Sequence, residues 1–88
     1  MSEAPHTTRF TLTYDDELRA RVVEQALAQE VGEIDDDRSR THLSRDGRAV
    51  SIEIEAADLV ALRAAQNTWL SLATVAERTS DVAETVPF

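Results

Sequence analysis

One stretch of the chain, residues 52–75, constrains its fold most strongly, because a strand pattern runs directly into a long helical pattern. Val50, Ile52 and Ile54 alternate with polar residues, which predicts a strand with one buried face. Asp58 follows as a predicted helix N-cap, and a long run without Gly or Pro comes after it. We therefore expect a β-strand joined to an α-helix by a very short connection.

The apolar residues of this predicted helix form an unusually wide arc. They cover roughly half of the circumference, whereas a surface helix needs a stripe of about 100°. The arc contains Ala61, Leu62, Ala65, Trp69, Leu72, Ala73, Val75 and Ala76. The opposite side contains Arg63, Asn67, Ser71, Thr74 and Arg78, with Val60 and Leu70 among them. Two interpretations follow: the arc covers a small sheet and a neighbouring helix, or the helix also contacts another protein.

The first part of the chain predicts a strand followed by a helix. Phe10, Leu12 and Tyr14 alternate with threonines, which indicates a half-buried strand. The pair Asp15–Asp16 predicts an N-cap rather than an acid–base or metal site, because an apolar helical face follows at once. That face contains Leu18, Val22, Val23, Ala26 and Leu27. Gly32 predicts the end of this helix in the left-handed conformation.

The middle of the chain predicts a β-hairpin. Residues 38–45 alternate weakly around Thr41 and Leu43, which indicates an edge strand with a thin apolar face. Asp46–Gly47 is the strongest hairpin signal in the chain. The strand that follows, residues 50–55, is the most β-prone, so we place it at the centre of the sheet.

These elements predict an α+β fold in the order β-α-β-β-α, with a three-stranded antiparallel sheet and both helices on one face. The open face of the sheet would carry Thr11, Thr13, Ser51, Glu53 and Glu55. We expect a single domain over residues 9–79, between a flexible N-terminus (residues 1–8) and a flexible C-terminal tail (residues 80–88). Because the outer strands leave backbone groups unpaired, we also expect a homodimer.

The charge balance limits the partners of the chain. Its 17 acidic residues oppose 9 basic ones, all of them arginine, and give a net charge of −8. Such a domain repels nucleic acid at long range, which argues against autonomous RNA binding. The absence of lysine indicates a high-salt cytoplasm, as in a halophilic archaeon, because salt screens self-repulsion. Compositional drift in an arginine-favouring genome is the alternative explanation.

No catalytic, cofactor or metal motif is recognisable in the sequence. Gly32 and Gly47 are both explained as turns, and His6 and His42 lie in no nucleophile or zinc motif. The aspartates at 35–37 lack the spacing of a calcium loop. There is no cysteine, and neither a membrane-spanning run nor a signal peptide is recognisable. We expect a cytoplasmic protein that is not an enzyme.

The arginines around the predicted hairpin form the one concentrated basic patch of the sequence. Arg38 and Arg40 precede His42, and Arg45 and Arg48 flank the turn. The patch either balances the neighbouring aspartates or makes local phosphate contacts inside a larger assembly.

Three short motifs carry a resemblance to a known family. Residues 54–59 (IEAADL), 62–65 (LRAA) and 67–70 (NTWL) resemble the signature of the small dimerisation subunit of the KEOPS complex. This is the Pcc family, related to the L-antigen proteins, and the resemblance spans roughly residues 9 to 79. Gln66 departs from the family pattern, which usually has an apolar residue there, and the loop before the second strand is unusually acidic.

The resemblance implies a non-catalytic scaffold that supports threonylcarbamoyl transfer to an adenosine of tRNAs. It implies a homodimer whose two helices join helices of an ATPase-fold catalytic subunit, and tRNA contact only within the complex. The partner interface would contain Leu59, Arg63, Asn67 and Leu70 of the long helix and Arg21 and Glu24 of the first helix. The tRNA phosphates would be contacted by Arg38, Arg40, Arg45 and Arg48.

Two other classes of protein remain open at this stage. A small ferredoxin-like regulatory dimer that binds a small molecule or an enzyme would need a pocket with convergent polar groups. A KH-like RNA-binding module would need a GXXG loop, which the sequence lacks.

Overall fold

A computed structural model describes the backbone of residues 6–85 and the side chains of residues 6–79. Its elements are β1 (His6–Thr13), α1 (Glu17–Ala28), α2 (Val31–Ile34), β2 (Ser39–Asp46), β3 (Ala49–Ala56) and α3 (Leu59–Thr85). The predicted order β-α-β-β-α and the α+β class are confirmed, with the short helix α2 added between α1 and β2.

The sheet has the strand order β1-β3-β2 and is antiparallel throughout, so β3 lies at its centre as predicted. In one cross-strand row Ile52 pairs with Phe10 on one side and with Leu43 on the other. Val50, Ile52 and Ile54 are fully buried, because both long helices pack over their side of the sheet.

Local signals explain where the helices begin and where the hairpin turns. The Oδ1 atom of Asp16 accepts a hydrogen bond from the amide of Arg19 at 2.7 Å, and Asp58 caps α3 in the same way. Asp46 pairs with Ala49, so the loop consists of residues 47 and 48. Gly47, with φ of 60°, is the one residue in the described chain with positive φ, which fits a type II′ turn.

The core lies between the sheet and the two long helices. Trp69, a member of the apolar arc, is fully buried, and its Nε1 atom donates a hydrogen bond to Thr41 Oγ1 at 2.9 Å. Tyr14 is also buried, and its hydroxyl donates to Glu77 Oε2 at 2.7 Å. These two bonds join α3 to β2 and to the end of β1.

Helix α1 differs from the sequence prediction in where it ends and in which residues it buries. It ends at Ala28, and the left-handed termination at Gly32 is wrong, because Gly32 lies inside α2 without a positive φ. The chain turns earlier since Val31 and Ile34 pack against the core. Leu18, expected in the core, is 66% exposed. The buried face consists of other residues, namely Ala20, Val23 and Leu27, and at about 100° per residue Leu18 lies on nearly the opposite side of the helix.

The element boundaries extend beyond the domain limits expected from the sequence. β1 begins at His6, because its register with β3 continues to the pair His6–Ala56. α3 continues to Thr85, inside the segment expected to be a flexible tail. The remainder of the two expected flexible ends, residues 1–5 and 86–88, lies outside the described residues. Within the described chain, no helix combines the length and apolar character that crossing a membrane requires.

Candidate protein interface on the outer face of α3

The side of α3 that points away from the sheet keeps several large apolar side chains exposed. Leu59 is 49%, Val60 72% and Leu70 43% exposed. We define the outer face of α3 as these three residues together with the exposed Arg63, Asn67 and Thr74. At about 100° per residue, all six fall within an arc of about 100°. Leu59, Arg63, Asn67 and Leu70, which were expected in the partner interface, thus share one exposed face of α3.

The outer face also differs from the rest of the chain in charge. From Leu59 to Ala76 α3 contains no Asp or Glu, although the chain has 17 acidic residues. Arg63 is the one charged residue in this segment. An exposed surface with apolar side chains, few charges and one arginine has the composition of the centre of a protein interface.

Three large apolar residues that were not expected in the interface are also exposed, one on α1 and two on α3. Among residues 6–79 Val60 is the most exposed large apolar residue. The sequence indicated this exposure, because Val60 lies among the polar residues of the helix. Leu18 on α1 lacked such a signal, because its spacing from Val22 resembles that of a core residue. Val75, expected in the apolar arc, is 57% exposed.

The two residues of α1 expected in the interface have different environments. Arg21 is exposed. Glu24 is half-buried, and its Oε1 atom accepts a hydrogen bond from Arg45 Nε at 2.9 Å. Glu24 therefore faces β2, and its carboxylate is occupied by a contact within the chain.

The four arginines of the expected phosphate patch do not form one cluster. Arg45 pairs with Val50 on the helix side of the sheet, and its Nη1 atom donates to the carbonyl of Gly47 at 3.0 Å. Arg40 pairs with Glu55 on the open side. The other two also have contacts within the chain: Arg38 bonds the carboxylate of Asp58, and Arg48 Nη1 lies 3.5 Å from the carbonyl oxygen of Asp15.

The open face of the sheet is polar, as predicted from the alternation. The hydroxyls of Thr11 and Ser51 lie 3.1 Å apart. Arg9 and His42 pair with Glu53 from opposite sides in one cross-strand row. This pattern places acidic side chains on the central strand and basic ones on the two outer strands.

Asp58, the N-cap of α3, and Tyr14, which bonds to Glu77 of α3, have shifted pKa values. Hydrogen bonding to the amide of Ala61, followed by the bond from Arg38, lowers the pKa of Asp58. Burial, followed by the hydrogen bond to Glu77, raises the pKa of the Tyr14 hydroxyl well above its usual range. Both shifts are explained by capping and packing, so neither indicates a catalytic group.

Among residues 6–79, neither a groove beside α3 nor the acidic side chains form an evident ligand or metal site. A groove of about 240 Å³ lies between α2 and α3, with Ile34, Val60 and Ala64 on its apolar side and Asp36 and Arg38 on its polar side. Both of these charged side chains already bond within the chain. In the part of the chain that the structure describes, no three His, Asp or Glu residues are grouped closely enough to hold a metal ion.

Comparison with known proteins agrees with this fold. The sequence model of a family described as "Transcription factor Pcc1" matches residues 7–81. The chain superposes on a chain of the solved structure "Crystal structure of binary complex Gon7-Pcc1" with a TM-score of 0.71 and 15% identity, covering 91% of this chain and 98% of that one. At this identity the superposition shows a shared fold. No curated protein matches the chain. Because the family match spans most of its length, the chain belongs to the Pcc1 family, as the motifs around Asp58 predicted.

Proposed function

We propose that this chain is a non-catalytic scaffold subunit of the KEOPS complex, which transfers a threonylcarbamoyl group to an adenosine of tRNAs. In this role it binds the ATPase-fold catalytic subunit through α1 and α3, and it contacts tRNA only within the assembled complex. Membership of the Pcc1 family and a fold shared with a chain of a Gon7-Pcc1 complex support this proposal.

The observation that carries the proposal is the outer face of α3. Leu59, Val60 and Leu70 remain exposed, although a chain of only 88 residues needs its large apolar side chains to build a core. A domain of this size hides only about 60–65% of its unfolded surface, so a partner that covers these side chains adds stability. Acidic residues, which are abundant elsewhere in the chain, are absent from residues 59–76 of α3.

The proposal includes a homodimer. β1 and β2 are both outermost strands, so each has a row of backbone groups that the sheet leaves unpaired. The open face of the same sheet is polar and has complementary charges on neighbouring strands. Light scattering at several protein concentrations would give the molar mass, and a single monomeric species at high concentration would contradict this part.

Co-purification with the ATPase-fold subunit of the same genome tests the scaffold role. Val60→Glu and Leu70→Glu each place a charge on the outer face of α3, so we expect each to abolish binding while the protein stays folded. Ser44→Glu places the same charge on the open face of the sheet, on the opposite side of the molecule. Equal binding by all three variants would contradict a docking role for the outer face.

We also propose that the protein works in a high-salt cytoplasm, because a net charge of −8 without lysine suits strong screening. Its unfolding temperature should then rise steeply as KCl increases from about 0.1 M, where the Debye length is about 10 Å, to above about 1 M, where it is about 3 Å. A flat salt dependence would favour compositional drift instead.

A further inference from the structure

Arg63 has an electrostatic environment unlike that of Arg38 and Arg45, which form ion pairs. Its helix neighbours three and four positions away are Leu59, Val60, Gln66 and Asn67, none of them acidic. Within the described part of the chain, the ion pairs involve other residues, namely Arg38–Asp58, His42–Glu55, Arg45–Glu17 and Arg45–Glu24. Within residues 6–79 Arg63 is therefore an exposed cation that forms no ion pair with a carboxylate of its own chain.

The position of Arg63 matters because exposed apolar side chains lie on both sides of it along the outer face of α3. Leu59 and Val60 lie one turn before it, and Leu70 lies two turns after it on the same stripe. A protein that covers these three residues also removes water from the guanidinium. A charge buried without a counter-charge is strongly destabilising, whereas a paired and hydrogen-bonded arginine is tolerated in interfaces.

We propose that the protein docking on the outer face of α3 presents an Asp or Glu within an apolar helical surface, and that this carboxylate pairs with Arg63. The proposal rests on the proposed function, because it takes the ATPase-fold subunit as the occupant of this face. Arginine can hold a carboxylate through two parallel N–H···O bonds, so the pair fixes the register of the docked helix. It also gives a chain of net charge −8 a cationic point that attracts the carboxylate of the partner.

The test measures the affinity of the ATPase-fold subunit of the same genome by calorimetry over a series of NaCl concentrations. The variants are Arg63→Gln and Arg63→Glu, with Arg9→Gln on the open face of the sheet as a matched control. We expect Arg63→Gln to weaken binding about tenfold and to flatten its salt dependence, and Arg63→Glu to weaken it further. Arg9→Gln should leave the affinity within about twofold.

A charge reversal identifies the partner residue. Single Asp→Arg and Glu→Arg changes on the surface of the ATPase-fold subunit should include one that restores binding to Arg63→Glu and weakens binding to the wild type. Unchanged affinity in Arg63→Gln, with binding lost in Val60→Glu, would overturn the inference and leave the proposed function standing. Unchanged affinity in Val60→Glu as well would overturn both.

Discussion

Replacing Thr41 by valine tests the hydrogen bond that joins α3 to the edge strand β2. Trp69 Nε1 donates to Thr41 Oγ1 at 2.9 Å, and both side chains are buried. Valine has nearly the shape of threonine, so the packing at position 41 is kept while the hydroxyl acceptor is lost. The indole N–H is then left buried without a partner.

The expected loss of stability follows from the indole N–H that is left without an acceptor. A buried donor without an acceptor costs about 1–3 kcal/mol of unfolding free energy. In a domain of this size each kcal/mol lowers the unfolding temperature by about 4–8 °C, so we expect Thr41→Val to unfold about 10 °C below the wild type. Thr68→Val is the matched control, because Thr68 is exposed on α3 and its hydroxyl donates to the carbonyl of Ala64. Its cost should stay within about 0.5 kcal/mol.

Urea unfolding followed by far-ultraviolet circular dichroism measures these differences. All variants are compared at one protein concentration, because the proposed dimer would make stability concentration-dependent. A double-mutant cycle with Trp69→Phe isolates the bond, since phenylalanine has no N–H to leave unpaired. Thr41→Val should cost at least about 1 kcal/mol less in the Trp69→Phe background. An equal cost in both backgrounds, or a cost no larger than that of Thr68→Val, would refute the reasoning.

Three further predictions concern the two glycines, Tyr14 and the N-cap residue Asp58. Gly47→Ala should destabilise by about 1 kcal/mol or more in urea unfolding because φ is positive there, whereas Gly32→Ala, with nothing near its added Cβ, should stabilise by about 0.4–1 kcal/mol. Tyr14→Phe should cost about 1 kcal/mol at neutral pH through the lost bond to Glu77. Since the pKa of Tyr14 is raised on folding, this difference should shrink in melting experiments above about pH 10. The pKa of Asp58 is lowered on folding, so the stability that its carboxylate contributes is present above about pH 4 and lost below it. In Asp58→Asn the melting temperature should therefore fall less steeply as the pH is lowered through this range.

The sequence predicted the elements whose signals are local. Alternation in β3, the caps at Asp16 and Asp58 and the turn at Gly47 each depend on residues adjacent in the chain, and each is confirmed. The end of α1 was predicted wrongly, because Gly32 is a strong local signal that the packing of neighbouring residues overrides. Local propensity is a weak guide where tertiary contacts decide.

In the candidate site, too, local spacing was predicted from the sequence and tertiary contacts were not. Helical spacing was sufficient to place Arg63 and Leu70 on one face of α3. Arg45 shares the parity of Thr41 and Leu43, which places it on the helix side of the sheet, but its charge indicated an exposed position. Only the fold reveals that Glu24 of α1 meets it there.

The position of Trp69 has a practical consequence for experiments on this protein. It is the single tryptophan of the chain, and it faces the sheet from the helix whose other side carries the outer face. A docked protein would lie a helix diameter of about 10–12 Å away from the indole. Intrinsic fluorescence should therefore change when the domain unfolds and stay constant when a partner that itself lacks tryptophan binds. The fluorescence of the unlabelled protein thus reports whether the domain is folded and does not respond to partner binding.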